Sequence, residues 1–552
     1  PEDLRMGEDE ARRLLDATPV DFSDDDIAEL VRRTEGWPAG LYLAALSAGA
    51  NGHGDAGALT GNDPFVVDFL RSEFLAYLPA DELEFLTRTS MLDELSGPLC
   101  DAVLATGGSA AMLESLQRSN QFVVALDRDR AWYRCHPLVR ELLAAELTRS
   151  EPELVSELLG RAFDWCAENG REVAAIAYGQ SSGDTDRVAA AMERCVQPVF
   201  QSGRSATVEQ WFAWLEANAP RERYPAVAVI GGMFHAVSGN ATASERWADA
   251  AEQGTYSGRL GDGSESIESW RALLRAVRAR EGIAALRADA AHAVRALAPD
   301  STWHPAALVL LGMADLLSGA PGEADDHFAD AAEEAADLGA PDMAPIALAE
   351  RALVAIGRDE WVAADELAER AIWTARRSHR EYAPINGLVY AVAARTTVHR
   401  ERTSAAEELI GRAQRRLPQL TYGLPIPSLQ TRLELARTYL ALADQAGARA
   451  MLREVESLLR RCPDLGTLAQ QADELRSALD TAGHNAPGVS TLTAAELRVL
   501  PLLTTHLTFK EIGERLYLSR HTVKSHAISI YRKLDVTSRA AAVGRAHLLG
   551  LL

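Results

Sequence analysis

The sequence predicts a mainly α-helical protein of several domains, and three observations support this prediction. The chain has 552 residues, which exceeds what one hydrophobic core of typical size accommodates. Alanine and arginine are abundant while aromatic residues make up only 6%, and this composition favours helix over sheet. From about residue 151 to 480, one alanine-rich helical stretch follows another, with Gly or Pro between them.

The first 150 residues predict two helical domains. Residues 1–50 predict helices on either side of a turn at Gly36-Trp37-Pro38, and the glycine-rich residues 51–62 predict a linker. Residues 63–150 predict several short helices followed by a β-hairpin, because residues 122–137 alternate and Asp127–Arg130 suit its turn. Short helices followed by a small hairpin are typical of a winged-helix domain.

Residues 151–480 predict an array of helical repeats. Similar helices centre on Trp247, Phe328, Leu367 and Leu409, and the last three anchors are 39 and 42 residues apart. A period near forty on pairs of helices is typical of an α-solenoid of tetratricopeptide type. A non-repeating helical bundle is the alternative. Residues 481–491 then predict a flexible linker.

The distribution of charge separates the last sixty residues from the rest. The whole chain carries a net charge of −23, but residues 492–552 contain nine basic and four acidic residues. All three lysines of the protein, Lys510, Lys524 and Lys533, lie in this segment. A basic segment of this kind on an acidic protein indicates a DNA-binding domain. The acidic remainder would disfavour non-specific adhesion to DNA.

Other features of the composition exclude several classes of protein. The five cysteines are scattered without metal-ligand spacing, which indicates buried reduced thiols rather than disulfides or a metal site. No apolar run approaches the roughly twenty residues that span a bilayer, and no signal peptide opens the chain. We therefore expect a cytoplasmic protein without a membrane partner.

Residues 492–552 predict four short helices arranged as a helix-turn-helix domain. Thr493 with Glu496 and Thr508 with Glu511 fit the capping box, while Ser519 and Ser538 can cap the third and fourth helices. The third helix has an apolar stripe formed by Val523, Ala527, Ile530 and Leu534. We expect this stripe to pack against Ile512 and Leu516 of the second helix. Its opposite stripe is polar and basic, with His521, Ser525, Ile528 and Arg532 and with Lys524 beside them. This geometry suits the DNA major groove.

This segment resembles the LuxR-type helix-turn-helix family over all of residues 492–552. The matching residues are Leu492-Thr493, Glu496, Val499-Leu500, Lys510-Glu511-Ile512, Leu516, Ser519, Thr522-Val523-Lys524, His526, Lys533-Leu534, Val536 and Ser538-Arg539. Ala495, His506 and Phe509 depart from the Arg, Gly and Asn that are usual in the family.

The resemblance implies which side chains contact DNA. It implies base contacts from Lys524, Ser525 and Ile528. It implies backbone contacts from Thr508, Lys510, Ser519, Arg520, His521, Thr522, Lys533 and Arg539. Two alternatives stay open: Lys524 contacts only phosphate, or the helix-turn-helix serves only protein contacts.

The order of domains resembles the large ATP-dependent LuxR regulators, the maltose-regulator-like signal-transduction ATPases. The matches are residues 34–46 and Tyr133-Arg134-Cys135-His136-Pro137-Leu138. The resemblance implies that His136 and Pro38 sense nucleotide, whereas the alternatives are a helix-capping histidine and a helix-breaking turn. No lysine lies in a P-loop, so we expect no nucleotide cofactor in this chain alone. Because the sequence begins in the middle of the family pattern, we expect an ATPase domain upstream, with which ATP or ADP would bind; the alternative is that the protein has lost this domain.

These observations lead to one functional hypothesis and one alternative. The hypothesis is a signal-responsive transcription regulator whose repeats receive an unknown effector or protein partner. Its C-terminal domain then binds double-stranded DNA as a dimer or larger homo-oligomer. The alternative is an interaction scaffold whose tail mediates association. An enzyme has no support, because the sequence contains no nucleophile elbow, clustered metal ligands or phosphate loop.

Overall fold

The computed structural model confirms a mainly α-helical chain. It describes residues 5–18, 20, 22–51, 61, 63–119, 122–462, 464–484, 492–516, 518–534, 536–548 and 551–552. These residues form 29 α-helices and one two-stranded sheet. They divide into two compact units, residues 1–221 and 222–552. Within the described ranges, each helix is too short or too polar to cross a membrane.

The described residues of the first unit contain twelve α-helices and both strands. The helices before the sheet are α1 (Glu8–Leu15), α2 (Asp24–Thr34), α3 (Pro38–Asn51), α4 (Pro64–Glu73), α5 (Ala80–Thr89), α6 (Gly97–Leu104) and α7 (Ser109–Ser119). The strands are β1 (Val123–Ala125) and β2 (Tyr133–Cys135). The helices after the sheet are α8 (Pro137–Ser150), α9 (Pro152–Glu168), α10 (Glu172–Ser182), α11 (Thr185–Gln201) and α12 (Ser205–Asn218).

The predicted turn at Gly36-Trp37-Pro38 is confirmed. Helix α2 ends with Glu35 and Gly36 in left-handed conformations, with φ of 54° and 71°. A Cβ on residue 36 would lie 2.4 Å from the carbonyl oxygen of Met6, so this close approach requires glycine. Pro38 then begins α3, where a proline needs no amide hydrogen bond.

The predicted hairpin is also confirmed. Strands β1 and β2 pair antiparallel, with Val124 opposite Arg134. The Asp127 carboxylate closes the turn by accepting hydrogen bonds from the amides of Ala131 and Trp132, at 2.9 and 3.1 Å. Short helices followed by this hairpin form the predicted winged-helix architecture.

The described residues of the second unit contain seventeen α-helices. Those before the C-terminal domain are α13 (Pro225–Val237), α14 (Ala241–Gln253), α15 (Ile267–Arg278), α16 (Ile283–Ala296), α17 (His304–Leu317), α18 (Pro321–Asp337), α19 (Met343–Gly357), α20 (Trp361–Arg377), α21 (Gly387–His399), α22 (Thr403–Gln414), α23 (Pro425–Ala441), α24 (Gln445–Leu459) and α25 (Thr467–His484). The C-terminal four are α26 (Ala494–Leu503), α27 (Phe509–Leu516), α28 (Arg520–Lys533) and α29 (Arg539–Leu548).

Helices α13 to α24 form a solenoid of consecutive helical hairpins, as the repeat period predicts. The first helices of the hairpins are buried almost all round, as α13, α17, α19, α21 and α23 show. Their partners bury one face each, and these outer helices include α14, α18, α20, α22 and α24. The four sequence anchors lie on outer helices, with Trp247 and Phe328 fully buried.

Some observed boundaries differ from the predicted ones. Helices α9 to α12, expected to open the repeats, group with the first unit. Helix α25 extends to His484, so the first four residues of the predicted 481–491 linker are helical. Most of the predicted 51–62 linker and residues 485–491 lie outside the described residues.

The cysteine prediction is confirmed as far as burial goes. All five cysteines are buried free thiols. Burial raises the pKa of Cys100 and of Cys135 to about 12, which leaves both thiols protonated at neutral pH.

Candidate nucleic-acid interface

The four C-terminal helices begin where the capping residues predict. Thr493 and Glu496 form a reciprocal capping box on α26. On α27, the Thr508 amide donates to the Glu511 carboxylate at 2.7 Å. Ser519 Oγ accepts from the Thr522 amide at the start of α28, and Ser538 Oγ accepts from the Ala541 amide at the start of α29. These contacts satisfy amides that the first turn of a helix leaves without partners.

Helix α28 has one buried face and one exposed face. The buried stripe of α28 belongs to the core of the domain and consists of Val523, Ala527, Ile530 and the following Leu534. The same core contains Ile512, and Leu516 packs against it. On the opposite face Lys524 and Ser525 are exposed, and Ile528 is 55% exposed. The predicted faces are therefore confirmed, and the three implied base-contact residues lie together on the exposed one.

A close backbone contact between Gly513 and Leu518 holds α27 against the start of α28. A Cβ on Gly513 would lie 2.6 Å from the carbonyl oxygen of Leu518, and the Leu518 amide donates to the Gly513 carbonyl at 2.8 Å. Sequence reasoning missed this requirement, although a glycine inside an eight-residue helix is a usable signal of close packing.

Lys533 makes a buried ion pair that the sequence did not predict. Its Nζ donates to Oε2 of Glu496 at 2.7 Å, and the two side chains are 18% and 5% exposed. Burial raises the pKa of the Glu496 carboxyl, but Lys533, the Thr493 amide and Ser529 outweigh it and hold the pKa below its usual range. This pairing favours a structural role for Lys533 over the phosphate contact that the resemblance implies.

The surroundings of Arg539 do not support its expected backbone contact with DNA. The guanidinium donates to four carbonyl oxygens between the end of α26 and the start of α27, those of Leu502, Leu503, Thr505 and Leu507, at 2.6–3.1 Å. Carbonyls at the end of a helix need such partners. Four of the five guanidinium N–H groups are used in these contacts, so Arg539 fastens the end of α26 to α29, and its contact with the DNA backbone stays a prediction.

The remaining residues implied to contact phosphate lie near the exposed ends of α27 and α28. Thr508, Ser519, Arg520 and His521 are exposed, and Thr522 is partly buried. Lys510 is 76% exposed, and its Nζ lies 3.9 Å from a Glu514 carboxylate oxygen. Their role in DNA binding stays a prediction.

The three departures from the family pattern lie away from the exposed face of α28. Ala495 and His506 are outside that helix, and Phe509 packs partly against the domain core. These departures therefore leave the side chains on the exposed face of α28 unchanged.

His136 and Pro38 both mark the start of a helix in the first unit: His136 caps α8 and Pro38 begins α3. His136 is buried, and its Nδ1 accepts from the Leu138 amide at 3.3 Å as the cap of α8. Its Nε2 lies 3.3 Å from the Thr34 carbonyl oxygen, and its ring packs edge-on against Trp37, the neighbour of Pro38. Burial lowers the pKa of His136, which favours the neutral ring.

The contacts of His136 fit the alternative expectation, a helix-capping histidine. Both ring nitrogens of His136 already contact protein atoms, and the sequence contains no P-loop lysine. The capping contact expected as the alternative for His136 is present. Nucleotide sensing by His136 and Pro38 stays a prediction.

Comparisons with known proteins match both ends of the chain. The MalT winged helix domain matches residues 71–155, and the domain described as bacterial regulatory proteins, luxR family, matches residues 490–546. The HTH-type transcriptional regulator MalT of Vibrio campbellii is 28% identical over 37% of this chain and 23% of its own length. The serine/threonine-protein kinase PknK of Mycobacterium tuberculosis is 33% identical over 35% of this chain and 18% of its own length.

A solved structure is also similar. A signal transduction ATPase with numerous domains and a tetratricopeptide repeat sensor, from Pyrococcus horikoshii, has a TM-score of 0.46 and 13% identity. That match covers 87% of this chain and 70% of the other. The chain spans less than a quarter of the length of the two curated relatives above. The chain thus contains a segment that matches the MalT winged helix domain, followed by one that matches the luxR family of bacterial regulatory proteins.

Proposed function

We propose that this chain is a signal-responsive transcriptional regulator that reads DNA in the major groove through α28. The observation that carries the proposal is the exposed face of that helix, where Lys524, Ser525 and Ile528 lie opposite a buried stripe. A short helix held by one face and capped at its N-terminus can enter the groove with its first two turns.

The three side chains suit different base edges. Lys524 is exposed, and no ion-pair partner for it is found among the described residues, so its amine is available for guanine O6 and N7. Ser525 can donate or accept. Ile528 cannot form hydrogen bonds, and its exposed methyl groups suit the C5-methyl of thymine.

The backbone contacts of this proposal come from the exposed ends of α27 and α28. Thr508, Lys510, Arg520, His521 and Thr522 would hold phosphates, which fixes register without reading sequence. A dimer would place two such helices one helical turn apart on a two-fold symmetric site.

The repeats are the part proposed to receive the signal. Hairpins that each contact their neighbours form a long continuous surface, which suits an effector or a protein partner. The proposed role is regulatory rather than enzymatic. One relative is called a protein kinase, but the matched region covers only 18% of that relative.

Selection from a random duplex pool tests the proposal. The full chain should enrich a two-fold symmetric site, and the double variant Lys524→Ala/Ile528→Ala should bind the pool without enriching it. Enrichment of no site by the unaltered chain would contradict the proposal and favour the interaction scaffold.

A further inference from the structure

The repeats contain a basic segment within an otherwise acidic body. Residues 370–461 contain sixteen arginines and eight acidic residues, a net charge of +8. Residues 1–369 contain thirty arginines and sixty-three acidic residues, a net charge of −33. The charge of the whole chain had suggested a uniformly acidic body, but the body contains this basic segment, which ends thirty residues before the C-terminal domain.

The segment places arginines at equivalent points of three successive outer helices. Arg376 lies in the last turn of α20, and Arg415 and Arg460 directly follow α22 and α24. All three are exposed, and the described part of the chain holds no ion-pair partner for them. Because outer helices of successive hairpins run in the same direction, their C-terminal ends lie along one edge of the solenoid. We call these three residues the basic edge.

The length of the tether limits where bound DNA can lie. Helix α25 follows the solenoid and ends at His484, and α26 begins at Ala494, so nine residues separate α25 from the first helix of the C-terminal domain. An extended chain of that length spans at most about 35 Å. DNA held by α28 is thereby kept at high effective concentration near the last repeats.

We propose that the basic edge binds phosphates of the DNA that flanks the site read by α28. DNA presents about one negative charge per 1.7 Å of its axis, which complements a row of unpaired guanidinium groups. The inference rests on the proposed DNA-binding function. It adds to that function a second, sequence-independent contact made by the repeats.

The test measures the salt dependence of binding by the full chain. Two duplexes carry the same selected site at their centre, one of about 20 base pairs and one of about 60. The variant Arg376→Ala/Arg415→Ala/Arg460→Ala removes the basic edge. The matched control Arg128→Ala/Arg149→Ala/Arg246→Ala removes three other exposed arginines, and the triple Arg→Lys variant of the edge keeps its charge.

On the long duplex, the edge variant should bind more weakly at low salt, and its slope of log K against log salt should fall by up to about three. On the short duplex it should match the unaltered chain, as should the control and the lysine variant on both duplexes.

An unchanged slope on the long duplex, with site preference intact, overturns this inference but not the proposed function. Loss of self-association in the edge variant, with an unchanged salt slope, also overturns the inference, because the basic edge then binds a second copy of the chain. Sedimentation velocity measures this self-association. If the unaltered chain shows no site preference, the proposed function fails and this inference fails with it.

Discussion

Lys533, at the end of α28, donates a 2.7 Å hydrogen bond to Glu496, in the first turn of α26. The contact joins the far end of the proposed recognition helix to the start of the first helix of the domain. Both side chains are largely buried, so the pair fixes how α28 is presented.

Removing Lys533 should therefore loosen the domain. Lys533→Ala leaves the Glu496 carboxylate buried without its cation, and breaking such a pair costs roughly 3 kcal/mol. Hydrogen exchange in the full chain should speed up in α26 and α28. Lys510→Ala is the control, because Lys510 is 76% exposed and its loss should leave exchange unchanged. Equal exchange in the two variants would show that the buried pair does not stabilise the domain.

Gly513 should tolerate no side chain. Gly513→Ala puts a Cβ 2.6 Å from the Leu518 carbonyl oxygen, so α27 and α28 must move apart. At Gly544, on α29, an added Cβ would meet no atom of the described residues within 4 Å, so Gly544→Ala should stabilise its helix by about 0.5–1 kcal/mol. Thermal unfolding of the full chain should therefore shift in opposite directions for the two variants. A shift in the same direction would contradict the packing argument.

His136 should stabilise the first unit in a pH-dependent manner. Its lowered pKa means that the unfolded chain binds a proton more readily than the folded chain. The contribution is thus complete above the ordinary pKa of about 6.5 and is lost as the pH falls towards the folded value. His136→Ala should destabilise the unit by about 1 kcal/mol at pH 8 through loss of the cap.

The change in the free energy of unfolding between pH 7 and pH 5 tests whether the His136 ring is buried in its neutral form. It should be shallower in His136→Ala and in His136→Asn, while the asparagine variant keeps an acceptor for the Leu138 amide. Identical pH profiles for His136→Ala and the unaltered chain would rule out the buried neutral ring.

Glu350 should oppose folding at alkaline pH. Burial raises the pKa of its carboxyl to about 8, and the Gln430 amide donates to its Oε2 at 3.0 Å. Since the folded pKa exceeds the unfolded one, stability is complete below about pH 4.5 and is lost as the pH rises towards 8. Between pH 5 and pH 8 the free energy of unfolding of the unaltered chain should fall by an amount on the order of a few kcal/mol. In Glu350→Gln the free energy of unfolding should not fall in this way.

Glu434 is the matched control for Glu350. It is also buried, but Arg437 and Arg395 outweigh the effect of burial and lower its pKa. Glu434→Gln should therefore destabilise the solenoid at neutral pH. Stabilisation by both substitutions, or by neither, would contradict the assignment of opposite charge states.

Local patterns predicted much of this structure. The capping residues placed α26 to α29, the apolar stripe assigned the buried face of α28, and alternation around Asp127 gave the hairpin, because each depends on neighbours in sequence. The roles of Lys533 and Arg539 could not be predicted in this way. Their partners lie 32–37 residues away, and only folding determines which cation reaches which carboxylate or carbonyl. The basic edge was within reach of the sequence, but counting charge over the whole body concealed it.

The central claim is that α28 reads bases, and Lys524 tests it most directly. Binding of the full chain is measured against every single-base variant of its selected site. Lys524→Ala should cost roughly 1–3 kcal/mol and relax preference at one base pair per half-site. Lys510→Ala should weaken all sequences alike and lower the salt slope by about one. Uniform weakening by both variants, with base preference intact, would contradict base reading by Lys524 and leave it a phosphate contact.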